Sequence, residues 1–154
     1  MNPKPALAVR ITRRFNAPPE RVFDAWLDPE MIGRWMFGPS VRDEEIVLIA
    51  VDGGVGGSFS FIVRRQGEEI DHVGQYLQID RPRRLAFTWG VPRYSADMAN
   101  VRIDIVPVTA GCELTVTHEL HPEWADFAGR TEAGWTRMLE VLDAALCDHA
   151  PSEG

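Results

Sequence analysis

The stretch Thr131-Glu132-Ala133-Gly134-Trp135-Thr136-Arg137-Met138-Leu139-Glu140-Val141-Leu142-Asp143-Ala144-Ala145-Leu146 decides the fold. Trp135, Met138, Leu139, Leu142, Ala145 and Leu146 fall on one face of a helix, and Glu132, Arg137, Glu140 and Asp143 lie away from it. The spacing predicts a long amphipathic helix from Pro122 to about His149. A helix of this kind must lay its apolar stripe on another layer, and what precedes it is a series of strands.

Ile46 to Val51, Phe59 to Val63, His72 to Ile79, Leu85 to Trp89, Val101 to Val106 and Cys112 to Glu119 are short runs divided by turn signals. Asp52-Gly53-Gly54, Gly56-Gly57, Gln66-Gly67, Asp80-Arg81-Pro82 and Ala110-Gly111 are so closely spaced that most links must be hairpins, because parallel crossovers need longer connections. An antiparallel meander follows. Before it, Val9, Ile11, Arg13 and Phe15 alternate with Arg10, Thr12, Arg14 and Asn16, the pattern of a half-buried first strand. Pro18 and Pro19 end that strand and open a helix over Glu20 to Leu27; Asp28-Pro29 closes it, and a second short helix spans Pro29 to Trp35. The sum is an α+β helix-grip domain: a curved antiparallel sheet of about seven strands around the C-terminal helix. The two short helices are expected as a lid over a pocket at its open end.

A chain of 154 residues fits one domain over 1–154, and 45% hydrophobic with 25% charged residues is the balance of an ordinary globular protein. The formal net charge of -7 repels phosphate backbones, so no nucleic-acid partner is expected. Arg81-Pro82-Arg83-Arg84 reads as a solvated turn between strands. No segment suits a secretory leader or a bilayer span, from which a cytoplasmic location and no membrane partner are expected. Cys112 and Cys147 lack CxxC spacing and read as free buried thiols.

Motifs for catalysis are weak. Asp52 to Ser58 is glycine-rich but lacks the Lys-Ser/Thr of a phosphate loop and opens a strand. His118 and His121 lie three apart on an extended run and point to opposite faces, so they cannot share a metal. No GxSxG elbow is present, and no metal, cofactor or catalytic residue is assigned. Leu114, Val116 and His118 share the strand face that should look toward the long helix, which makes His118 a hydrogen-bonded core residue or a ligand-touching group. Arg13, on an apolar face, needs a partner; an internal salt bridge is expected, with an acid such as Asp104 or, failing that, a bound anion.

The aromatic faces suggest a greasy chamber with a few polar handles. Its expected lining is Trp35 and Phe37 after the second helix, Phe59, Phe61, Tyr76, Trp89 and His118 from the strands, and Trp135, Met138 and Leu142 from the long helix. The alternative is that these rings fill a dry core.

Ile11-Thr12-Arg13-Arg14-Phe15-Asn16-Ala17-Pro18, Val22-Phe23-Asp24-Ala25-Trp26-Leu27-Asp28-Pro29-Glu30, Gly56-Gly57-Ser58-Phe59-Ser60-Phe61, the run from Gly74 to Trp89, and Ala133-Gly134-Trp135 occur in order along the chain. Together, from about Val9 to Leu146, they resemble the bacterial homologues of the C-terminal domain of the activator of heat-shock-protein-ninety ATPase, in the START-like (SRPBCC) superfamily. The resemblance implies a helix-grip fold with a deep cavity that in related families holds lipids, polyketides, hormones or aromatic compounds. It does not imply one activity, since the fold hosts binders, cyclases and co-chaperones. Such proteins often read Trp-Trp after the second helix and His shortly before Gly-Trp; here Trp35-Met36 and Thr131 stand there. The missing His counts against catalysis, and the Met makes the wall more adaptable.

The expected partner is therefore a small hydrophobic molecule. A homodimer stays open, and so does a chaperone partner, against which stands a first strand beginning by about Val9, with no span for the activator's additional N-terminal domain. A cyclase or hydrolase using His118 or Tyr76 as acid or base is a third reading.

Overall fold

Turn chemistry and strand alternation together produce the sheet. The computed structural model describes residues 7–39, 41–52, 54–92, 98–120, 126 and 128–148. The strands are β1 (Leu7–Phe15), β2 (Glu45–Val51), β3 (Ser58–Arg65), β4 (Glu68–Asp80), β5 (Arg84–Trp89), β6 (Ala99–Val108) and β7 (Gly111–Leu120). They form one seven-stranded antiparallel sheet in the order β1-β7-β6-β5-β4-β3-β2. The meander supplies β2 to β7, and β1 returns beside β7 with Val9 opposite His118 and Phe15 opposite Cys112. The β3–β4 hairpin turns on Gln66 and Gly67, whose φ of 54° and 81° give the left-handed pair that a two-residue turn needs.

Alternation decides which face is buried. Phe59, Phe61 and Val63 of β3, Val101, Ile103 and Ile105 of β6, and Cys112, Leu114, Val116 and His118 of β7 are buried. The long helix α3 (Ala128–Asp148) buries Trp135, Leu139, Leu142 and Leu146 in the same core. Each fully buried leucine contributes about 2 kcal/mol through the water it no longer touches. The predicted start at Pro122 and the predicted end at His149 lie outside the described residues, as do His121 and the side chain of Cys147. Cys112 is a free buried thiol, pushed up to about 11 first by burial. Among the described residues no helix is long and apolar enough to cross a membrane, and no group of three potential ligands is placed to hold a metal ion.

The two short helices are α1 (Pro19–Asp24) and α2 (Pro29–Trp35). The second has the predicted bounds, whereas the first stops before Leu27. Asp28 precedes a proline and is held extended at φ -88° and ψ 114°, where its carboxylate caps α2 by accepting from the Glu30 N–H at 3.0 Å. The chain leaves α1 through tighter bonds, Trp26 N–H to Phe23 O and Leu27 N–H to Asp24 O. Both helices belong to the core: Val22, Phe23, Ile32 and Trp35 are buried, and the Trp35 indole donates to the Ala25 carbonyl at 2.9 Å.

Arg13 makes the internal salt bridge expected of it, but with Asp143 of α3 at 2.9 Å. Asp104 lies on the other sheet face, held by Arg84 at 2.7 Å and Arg102 at 2.8 Å. In the basic turn, Arg81 pairs with Asp24 and Arg83 with Asp80.

Two glycines give opposite expectations. A Cβ at Gly74 would overlap the Thr88 carbonyl oxygen and the Phe59 ring, while one at Gly134, inside α3, meets open space. Gly74→Ala is expected to lower the unfolding free energy by about 1–3 kcal/mol. Gly134→Ala is expected to raise it by about 0.5–1 kcal/mol. Urea unfolding of both variants checks this.

Candidate functional site

The inner face of the sheet is paved with rings because β3, β4 and β5 place every second residue there. Pairing sets Phe59 opposite Gly74, Phe61 opposite His72, and Tyr76 opposite Phe87. Gly74 has no side chain, and Phe59 uses that space, stacking on Phe61 at 4.6 Å and approaching Tyr76 at 5.5 Å and Phe87 at 5.7 Å. Phe37, just after α2, packs on His72 at 4.7 Å and Phe61 at 5.6 Å. Trp135 of α3 lies 6.2 Å from Trp89 and stacks on Trp26 at 5.7 Å, and Trp26 meets Trp35 edge-on at 4.6 Å.

Of the residues named from the sequence, Phe37, Phe59, Phe61, Tyr76, Trp89, His118 and Trp135 thus form one connected set of rings. Trp35 joins it through Trp26. Leu142 is wholly buried in the same core; Met138 is half-buried against it.

The polar atoms inside this face are few. The Trp135 indole donates to His118 Nδ1 at 2.9 Å, and both residues are buried. Because an indole only donates, Nδ1 is the acceptor and the neutral imidazole carries its proton on Nε2. Burial lowers the His118 pKa to about 4, so the ring is neutral at physiological pH. His72 is lowered chiefly by burial, against the opposing bond of its Nδ1 to the Phe61 carbonyl at 3.0 Å. Burial pushes Tyr76 up to about 12.

Sequence reasoning missed Glu44. Its carboxylate is fully buried, one oxygen accepting from the Gly38 N–H at 2.8 Å and Arg42 at 3.0 Å, the other from the Arg65 Nε at 3.1 Å and Nη2 at 2.7 Å. The Arg42 guanidinium sits 5.7 Å over the Phe37 ring. This cluster braces the link between α2 and β2 against β3. Arg42-Asp43-Glu44-Glu45 looks like a solvated charge run, so nothing local marks the middle acid as interior. Trp26, in the turn after α1, was not placed in the lining.

A seven-stranded antiparallel sheet packed on one long helix, with rings between them, defines a helix-grip domain of the SRPBCC type. Residues 16–147 match the family described as Activator of Hsp90 ATPase homolog 1-like protein, and the chain belongs to that family. A crystal structure from Chromobacterium violaceum is similar, at 27% identity and a TM-score of 0.77, covering 91% of this chain and 96% of that one. One from Rhodobacter sphaeroides has a TM-score of 0.82 at 21% identity, covering 96% of each chain. The solution structure of an AHSA1-like protein from Aeromonas hydrophila has a TM-score of 0.78 at 21% identity, covering 96% of this chain and 97% of that one. None of the curated proteins matches.

Two outcomes follow for the buried polar groups. An unfolded chain takes up a proton on His118 near pH 6.5, whereas the folded chain resists until about 4. The stabilisation this gives is complete above about pH 6.5 and is lost as pH falls toward 4, on the order of 3 kcal/mol. Imidazole nitrogen shifts should stay those of the neutral ring down to about pH 5; titration near the ordinary histidine value would contradict this. Glu44→Gln should cost about 2–3 kcal/mol in urea unfolding, since a neutral amide cannot satisfy two guanidiniums; their partial exposure limits the loss.

Proposed function

We propose that the protein binds a small hydrophobic or amphipathic molecule, a lipid, polyketide or aromatic metabolite, between the sheet and α3. The observation that carries this reading is Trp89. Its ring lies 5.6 to 6.3 Å from those of Phe37, Phe59, Phe61, His72, Phe87 and Trp135, yet it is only half-buried where they are buried. Water therefore touches part of the one ring that contacts six buried ones. Met138, on the next turn of α3 after Trp135, is also half-buried and offers an adjustable thioether. Rings with a few fixed polar groups are the usual lining of small-molecule sites.

A ligand burying roughly 300 Å² of apolar area gains about 7 kcal/mol before several kcal/mol of association cost, which sets the expected affinity at micromolar or weaker. The test is a thermal-shift and tryptophan-fluorescence screen over fatty acids, polyketides and aromatic metabolites. At a ligand concentration about a hundredfold above Kd, the melting temperature should rise by about 5–10 °C and the emission should change. Silence from every class removes the reading.

The family description supports a second reading, stimulation of a heat-shock-protein ATPase. Chaperone ATPase turnover with and without the protein decides it; unchanged turnover ends it.

A further inference from the structure

The tryptophans clustered at α3 are not equivalent. Trp35 donates its indole N–H to the Ala25 carbonyl and Trp135 donates to His118, each at 2.9 Å. Trp26, stacked on Trp135, edge-on to Trp35 and 3% exposed, donates to nothing: its Nε1 is buried with no partner. Folded proteins rarely leave such a group unpaired, because burial removes the bond it made to water without replacing it. His118 presents a second donor, since Trp135 occupies Nδ1 and the proton sits on Nε2, for which no acceptor is found among the described residues. The strand carbonyls nearby are engaged in the sheet ladder. Around Trp135 the described residues therefore offer donors and no free acceptor.

Among the described residues, no charged side chain acts on the interior's two buried polar groups. Burial alone accounts for the perturbation of both His118 and Tyr76, with no charged side chain contributing. The charged groups that act on the ring set, Arg42, Glu44 and Arg65, do so at His72, and the Glu44 carboxylate is saturated by its own donors. An anion at Trp135 would be desolvated without a counterion, whereas a neutral carbonyl can accept from two donors at no such cost.

Resting on the binding reading above, we infer that the ligand carries an uncharged hydrogen-bond acceptor, a ketone or quinone-type carbonyl on an apolar ring body, seated beside Trp135 with Trp26 Nε1 and His118 Nε2 as its donors. Three probes of nearly one shape test this by fluorescence titration at neutral pH: acetylnaphthalene, isopropenylnaphthalene and naphthoate. Transfer out of water favours the hydrocarbon, so a preference for the ketone can come only from donors in the site. The ketone should bind about tenfold more tightly than the hydrocarbon, and naphthoate no more tightly than the hydrocarbon. In nitrogen–proton correlation spectra, the Trp26 indole resonance, assigned with Trp26→Phe, should move downfield with the ketone and not with the hydrocarbon. Equal affinity for ketone and hydrocarbon overturns the acceptor inference and leaves binding intact. Tighter naphthoate binding overturns the neutral-ligand inference in the same way. Tighter ketone binding with an unmoved Trp26 resonance puts the acceptor elsewhere and overturns the assignment, and no binding by any probe overturns both readings.

Discussion

Everything at the centre of this molecule depends on how α3 is seated on the sheet, and two polar bonds set that seat. Apolar burial holds a helix to a sheet without specifying where along it the helix rests. Trp135 bonded to His118 fixes one point, and Asp143 bonded to Arg13 fixes another. Residues 135 and 143 are separated by about 12 Å of helical rise. His118 is paired with Val9, and from Val9 to Arg13 the strand advances about 13 Å. The two spans agree, so both bonds form together only when α3 runs alongside β1 in one register. The ring of Trp135 is thereby delivered against Trp89 and Trp26.

The buried polar groups divide by whether they are saturated. Glu44 accepts from a backbone N–H and two guanidiniums, and breaking any one of these bonds leaves a charge short of partners in a poorly solvated place. Such a group stiffens the connection it ties and has nothing left for a guest. Trp26 is the reverse, its indole donor unspent where water is nearly excluded. Bond for bond, an incoming acceptor gains more at an unspent buried donor than at one already hydrated.

Much of the fold could be read from spacing, because strands separated by two-residue turns have few ways to pair. The junction of α1 and α2 could be read at Asp28-Pro29, and the inward faces of β3, β4, β5 and β7 from simple alternation. What escaped depended on contacts distant in sequence. Arg13 was recognisable as needing a mate, but Asp143 becomes that mate only because β1 returns beside β7 under α3. On a helical wheel Asp143 belongs to the polar side, and nothing local says that the side faces an arginine. Glu44 was hidden by its neighbours, since a charge run gives no hint that one member turns inward. The rings expected to line a site lie in one connected set, whereas Trp26 came into view only through its stacking on Trp135.

The departures from the family pattern bear on what such an interior can distinguish. Met36, where the resemblance led to the expectation of a second tryptophan, is buried, and its carbonyl accepts from Arg42 at 3.1 Å. The substitution thus leaves the brace in place while replacing a rigid ring with a pliable side chain. Pliable apolar walls adapt to many bodies of similar size, and one methylene more or less changes affinity only modestly. On the binding reading proposed above, discrimination would come from the fixed donors, whose direction is set by stacking and by the bond that orients His118. A fold shared by binders, cyclases and co-chaperones does not name a ligand; in this chain the unspent hydrogens beside Trp135 are where that selectivity would reside.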